Sequence, residues 1–139
     1  MTYRPVLLVE DDSDAMELTL RSLKQCNLAN QVVVFKDGES AIDYLHSDAD
    51  SILPAVILLD LQLPKLSGLE VLQTIRTHNR TRTLPVVILS SSDNVADLEA
   101  SYDLGANSFV KKPLQLDDFA KAAARIGLYW TILNFTTRA

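Results

Sequence analysis

Short apolar runs alternate along the chain with segments whose apolar residues recur at helical spacing. Val6 to Val9, Val32 to Phe35, Ala55 to Leu59, Val86 to Leu89 and Ser108 to Val110 are mostly Val, Ile, Leu and Phe, and each predicts a strand. Between them, Met16, Leu20 and Leu23, then Ala41, Ile42 and Leu45, then Leu69, Leu72 and Ile75, then Val95, Leu98 and Tyr102 mark the apolar sides of four helices. Strands that are apolar throughout are covered on both faces. Separated by amphipathic helices, they imply a parallel sheet joined by right-handed crossovers, which is a doubly wound α/β domain. In such sheets functional groups collect beyond the carboxyl ends of the strands, near the point where strand order reverses.

The residues at those ends are unusually rich in chemistry. Glu10-Asp11-Asp12 follows the first strand, Asp60 the third, Ser90-Ser91-Ser92 the fourth and Lys111-Lys112-Pro113 the fifth, whereas the second ends in a plain turn, Lys36-Asp37-Gly38. Asp48 to Pro54 and His78 to Pro85 are polar loops within the usual length range. With 139 residues and 47% hydrophobic content, the chain suits one globular domain. A net charge of -5 with scattered Lys and Arg argues against a nucleic-acid surface. No apolar run approaches the ~20 residues of a membrane helix, and MTYRPVLLVEDD meets acid too early for a signal peptide, so a cytoplasmic protein without a membrane partner is expected. The lone Cys26 cannot form an internal disulfide and is read as a small buried hydrophobe.

If Glu10, Asp11 and Asp60 converge at one edge of the sheet, their repulsion favours a cation among them. Oxygen-only ligands suit Mg²⁺, with Mn²⁺ able to take its place. Mg²⁺ takes one or two carboxylates together with phosphate oxygens, so the site is suited to receive a phosphoryl group. Asp60 is then the candidate nucleophile, since a carboxylate can attack phosphorus to give an acyl phosphate. The Ser90 hydroxyl and the Lys112 ammonium supply charge-assisted partners for the incoming oxygens. Asp and Ser after strands also cap helices, and that reading is preferred for Asp12, Ser13 and Ser92. Pro113 restricts Lys112 to extended geometry.

With an acid pair, Asp, Ser and Lys-Pro in this order, the chain resembles the receiver domain of bacterial two-component response regulators over nearly its full length. The segments that carry the resemblance are LLVEDD at Leu7 to Asp12, LLDLQLPKLSG at Leu58 to Gly68, PVVILSSS at Pro85 to Ser92 and GANSFVKKPL at Gly105 to Leu114. The resemblance implies a five-stranded flavodoxin-like fold in which the phosphohistidine of a sensor histidine kinase passes its phosphoryl group to Asp60. It implies Glu10 and Asp11 as metal acids, the latter binding Mg²⁺ directly and the former often through water, with a backbone carbonyl from Gln62. Ser90 matches a hydroxyl that turns toward the phosphoryl group. Phe109 matches a rotating aromatic, often Tyr, that fills the space the hydroxyl vacates. Lys112 matches the phosphate-pairing lysine, and Pro113 a proline often held by a cis bond.

Toward the C-terminus, Phe119, Ala123, Ile126, Trp130 and Leu133 follow at alternating steps of four and three, as on one helical face. Residues 126–135 nonetheless place apolar side chains on several faces and need another surface to bury against. This tail and the His78 to Pro85 loop resemble the small stand-alone response regulators paired with bacterial and cyanobacterial phytochromes, in which an extra C-terminal segment reaches a second subunit. The expectation is a receiver domain over 1–126 and an extension over 127–139 acting as a homodimerisation arm, with Leu128, Tyr129, Trp130, Leu133 and Phe135 as contact residues.

A phosphatase of the haloacid dehalogenase type would also use an aspartate nucleophile and Mg²⁺ but needs a second Asp two residues on, where this chain has Gln62. Glu10-Asp11-Asp12 would repel the phosphate of a flavin, and no G-x-G-x-x-G follows the first strand. A receiver that only dimerises would not need every phosphorylation residue in place. The reading is a switch that modifies itself, gaining and losing its own phosphoryl group without turnover, and that passes its output through a partner or its own dimer.

Overall fold

The computed structural model describes residues 4–25, 30–47 and 52–111, with Lys121, Ala122, Arg125 and Tyr129 beyond them. Strands β1 (Val6–Val9), β2 (Val32–Phe35), β3 (Val56–Asp60), β4 (Val86–Ser90) and β5 (Ser108–Lys111) form one sheet in the order β2-β1-β3-β4-β5. All four pairings are parallel, as expected from the unbroken apolar runs. Helices α1 (Ser13–Gln25), α2 (Gly38–His46), α3 (Gly68–Thr77) and α4 (Val95–Asp103) alternate with the strands. β3, β4 and β5 each run one residue past the apolar stretch that predicts them, so Asp60, Ser90 and Lys111 are the last residues of their strands.

The alternating side chains of the central strands build two cores. Leu7, Val9, Ile57, Leu59, Val86 and Ile88 pack with Ala41 and Leu45 of α2 and Val71, Leu72 and Ile75 of α3. Val6, Leu8, Val56, Leu58, Val87 and Leu89 point the other way, toward Ala15, Met16 and Leu20 of α1. The central strands are therefore covered on both faces, and the chain leaves β1 toward one side of the sheet and returns through β3 on the other. Strand order reverses between β1 and β3, and their carboxyl ends frame the site. Among the described residues no helix is long and apolar enough to cross a membrane.

One helix departs from the pattern. Val95, Leu98 and Tyr102 of α4 face outward, 63%, 37% and 49% exposed, and Ser101 is the buried residue instead. The Ser101 hydroxyl is satisfied by donating to the Asp97 carbonyl at 2.7 Å. α4 ends where Gly105 takes a left-handed φ of 98°, with Ala106 N–H donating back to the Ser101 carbonyl.

The loop after α3 is less polar in its contacts than in its sequence, since Thr81, Leu84 and Pro85 are buried. Arg76 fastens it. Its Nε donates to the Gly105 carbonyl at 2.9 Å, Nη1 to the Leu84 carbonyl at 2.7 Å and the Arg82 carbonyl at 3.2 Å, and Nη2 to Asn107 Oδ1 at 2.9 Å. Asn107 Oδ1 also accepts from Val86 N–H, so the guanidinium joins the end of α3 to the starts of β4 and β5. Arg76→Ala removes charged donors from several carbonyls at once. It is expected to cost roughly 2–3 kcal/mol, read as a lower urea midpoint at unchanged slope.

A pH-sensitive contact lies nearby. The rings of His46 and His78 stack with centroids 3.9 Å apart and planes 19° from parallel. The Thr81 hydroxyl donates to the Ile75 carbonyl at 2.8 Å, which leaves its oxygen to accept from His46 Nε2 at 3.4 Å. Burial first, then the charges of His78 and Arg80, lower the His46 pKa, with Asp43 opposing them. A base whose pKa is lower in the folded chain binds more protons unfolded. The stabilising contribution is therefore present above the ordinary histidine value of about 6.5 and is lost as pH falls below it. Urea midpoints measured between about pH 7.5 and pH 5 are expected to fall with pH, and His46→Gln is expected to flatten that slope.

Candidate functional site

Parallel pairing of Val9 with Leu59 brings the residues that follow them, Glu10 and Asp60, side by side. Glu10, Asp11 and Asp60 each offer a carboxylate oxygen within 4.8 Å of the others, and among the described residues they are the only such group of three or more acids, His or Cys. Glu10 and Asp60 are nearly closed to solvent, 1% and 4% exposed, while Asp11 is open. Backbone donors orient the two buried acids: Asp12 N–H donates to Glu10 Oε1 at 3.4 Å and Gln62 N–H to Asp60 Oδ1 at 3.3 Å. Gln62 is itself exposed and brings no acid to the cluster. Three anionic oxygen donors so close, two of them buried, fit a hard divalent cation.

The neighbouring residues sort into caps and site. Asp12 Oδ1 accepts from Asp14 N–H at 2.9 Å and Ala15 N–H at 3.3 Å, so Asp12 caps α1 as expected and is not one of the clustered acids. Ser13 is already the first residue of α1 and does not cap it. The cap of α4 is Asn94, whose side chain accepts from Ala96 N–H at 2.9 Å, and not Ser92. Ser92 sits two residues earlier, where its hydroxyl braces the loop by accepting from Asn94 N–H at 3.1 Å and donating to Asp97 Oδ2 at 2.6 Å.

The loop from Asp60 to α3 adds a functional residue that the sequence hides. Gly68 looks like a turn glycine, but among the described residues the left-handed turn conformations fall on Lys65 (φ 64°) and Gly105. Gly68 is needed for closeness instead. A Cβ there would lie 2.3 Å from the Asp60 carbonyl oxygen and 2.6 Å from Leu61 Cα. α3 therefore starts pressed against the backbone that carries Asp60, fixed by Gly68 N–H donating to the Leu61 carbonyl at 2.9 Å. A capping box between Ser67 and Glu70 completes that start.

Ser90 is fully buried at the end of β4, one residue beyond the partner of Asp60 in the sheet, and its Oγ accepts from Ser92 N–H at 3.0 Å. Phe109, in β5 beside Ile88, is half-buried. It lines a groove of about 250 Å³ with Ser92, Asp93, Asn94, Val95, Leu98 and Lys111. Lys111 forms an ion pair with Asp93, and both line that groove. No local pattern announces this pair, because its partners are 18 residues apart on different elements. Tyr129 is 48% exposed. Lys112, Pro113, Leu128, Trp130, Leu133 and Phe135 lie outside the described residues.

With this geometry in hand, known proteins are informative. Residues 6–124 match the model of the response regulator receiver domain. Response regulator Rcp1 of Synechocystis sp. is 35% identical over 128 residues, covering 90% of this chain and 87% of Rcp1. The solved Mn(2+)-bound form of Rcp1 is 33% identical with a TM-score of 0.87, covering 95% of this chain and 97% of that one. The phosphorylated cyanobacterial phytochrome response regulator RcpA is 33% identical with a TM-score of 0.89, covering 96% and 98% of the two chains. The bacteriophytochrome response regulator AtBRR is 48% identical with a TM-score of 0.75, covering 97% and 100%. The chain belongs to the response regulator receiver domain family.

Proposed function

We propose that the chain is a single-domain response regulator whose Asp60 accepts a phosphoryl group from the phosphohistidine of a sensor histidine kinase. The observation that carries this reading is the convergence of Glu10, Asp11 and Asp60 at the carboxyl ends of β1 and β3, with Ser90 beside them at the end of β4. A carboxylate oxygen of Asp60 attacks phosphorus, the nitrogen–phosphorus bond of the donor breaks, and an acyl phosphate remains on the protein. A divalent cation, Mg²⁺ or Mn²⁺, held by Glu10, Asp11, Asp60 and the Gln62 carbonyl, would neutralise charge on the phosphoryl oxygens. The Mn(2+)-bound form of Rcp1 supports that assignment. Ser90 and Lys112 bind the remaining oxygens, and Phe109 follows Ser90 into the space it leaves. With Gln62 in place of a second acid, the product is a state of the protein and not the start of turnover.

Similarity to RcpA and AtBRR supports a phytochrome-type kinase as donor. The added charge of about -1.5 to -2 biases the surface around β4, β5 and α4 toward a partner. Incubation with acetyl phosphate and Mg²⁺ is expected to raise the intact mass by one phosphoryl group, and chelation of the metal to prevent it. An unchanged mass refutes the reading. The apolar tail supports a homodimer through Leu128, Tyr129, Trp130, Leu133 and Phe135. A chain ending after Ile126 is expected to scatter light as a monomer, and an unchanged mass per particle removes the tail from the interface.

A further inference from the structure

Ser90 is the first link of a continuous polar chain that ends inside α4. Its Oγ accepts from Ser92 N–H at 3.0 Å, and the Ser92 hydroxyl in turn donates to Asp97 Oδ2 at 2.6 Å. Asp97 belongs to the first turn of α4, and its carbonyl accepts from the buried Ser101 hydroxyl one turn later at 2.7 Å. The same loop is held from the side by Asn94, through Ala96 N–H, and by the ion pair of Asp93 with Lys111. α4 is suited to respond to a pull on this chain. Ser101 is its only fully buried residue, and Val95, Leu98 and Tyr102 face outward, so little apolar contact fixes it to the core.

We propose that Ser92 and Asp97 are positioning residues that transmit the engagement of Ser90 into α4. The proposal rests on the reading that Asp60 is phosphorylated and that Ser90 turns toward the product. When Ser90 rotates to donate to a phosphoryl oxygen, its Oγ leaves Ser92 N–H. The half-buried Ser92 N–H then loses its acceptor within the protein, and the loop follows Oγ or moves toward another acceptor. The Ser92 hydroxyl is tied to Asp97, and the shift reaches the first turn of α4 through that bond. This route is separate from Phe109, which acts by filling space. It gives the exposed Val95, Leu98 and Tyr102 side chains a position that depends on the state of Asp60.

The test is amide NMR of the full chain before and after acetyl phosphate and Mg²⁺, with intact mass reporting phosphorylation independently. Ser92→Ala and Asp97→Ala are expected to take the phosphoryl group as wild type does, while the shifts of the Leu98, Ser101 and Tyr102 amides on phosphorylation shrink by at least about twofold. Asp97→Asn keeps a carbonyl that can accept from Ser92 and is expected to retain most of the response. The double variant is expected to do no more than either single one, because both break one link. A full wild-type α4 response in phosphorylated Ser92→Ala or Asp97→Ala overturns the proposal. A wild type that gains no mass overturns the Asp60 reading and this proposal with it.

Discussion

Asp60→Asn is expected to abolish phosphoryl uptake from acetyl phosphate, leaving the intact mass unchanged under conditions that modify the wild type. An amide nitrogen or oxygen in place of the carboxylate has neither the charge nor the nucleophilicity to open an attack on phosphorus. The same substitution separates metal binding from folding. Glu10 and Asp60 are nearly fully buried with carboxylate oxygens within 4.8 Å, and like charges at that distance oppose one another. Without metal, Asp60→Asn is expected to be more stable than wild type by on the order of 1–3 kcal/mol. With Mg²⁺ at about 100 times its dissociation constant, wild type gains about 2.7 kcal/mol from linkage, and the variant, short of one ligand, gains far less. Thermal melts across a Mg²⁺ titration read both effects. Labelling of the variant equal to wild type, or an unaltered response to Mg²⁺, would remove Asp60 from the role.

The sheet was legible because its signal is local. Val56 to Leu59 or Val86 to Leu89 has one reading as a strand of a sheet covered on both faces, and the acids and hydroxyls beyond such runs mark the carboxyl ends where the site lies. The features that the pattern hid depend on what arrives from elsewhere in the chain. Val95, Leu98 and Tyr102 have the spacing of a buried face, yet all three are exposed, because periodicity states that apolar residues share a side and not what that side meets. Arg76 reads as a solvated charge at the end of a helix until Gly105 and Asn107, 29 and 31 residues on, bring their acceptors to it. Ser92 and Asn94 are both ordinary cap residues, and only the backbone path decides that Asn94 caps α4 while Ser92 reaches Asp97. The role of Gly68 is hidden for a related reason. A glycine at a loop end suggests a turn, whereas its neighbour in space, the Asp60 carbonyl, is eight positions away in the chain.

That neighbour makes Gly68→Ala a methyl that strikes the site's own backbone. The added Cβ would stand 2.3 Å from the Asp60 carbonyl oxygen and 2.6 Å from Leu61 Cα, both backbone atoms that cannot rotate aside. Relief requires either that α3 withdraw, straining the Gly68 N–H bond to Leu61 and the Ser67–Glu70 box, or that the end of β3 move and carry Asp60 with it. Either route is expected to cost roughly 3 kcal/mol or more, at the upper end for overpacking. Because the colliding atom belongs to Asp60, the Mg²⁺-induced rise in melting temperature is expected to shrink as well. Gly38→Ala is the matched comparison. Its Cβ would meet Val71 Cγ2 at 2.4 Å, on a stiff β-branched side chain that is itself fully buried, and the Leu66 carbonyl at 3.3 Å, but none of these atoms belongs to Asp60 or Leu61. A loss of roughly 1–3 kcal/mol from overpacking, partly offset by the better helix propensity of alanine, is expected there, with the Mg²⁺ response intact. Urea midpoints of the two variants with and without Mg²⁺ decide the matter: a normal Mg²⁺ response in Gly68→Ala, or one weakened equally in Gly38→Ala, would mean that the start of α3 does not hold Asp60 in place.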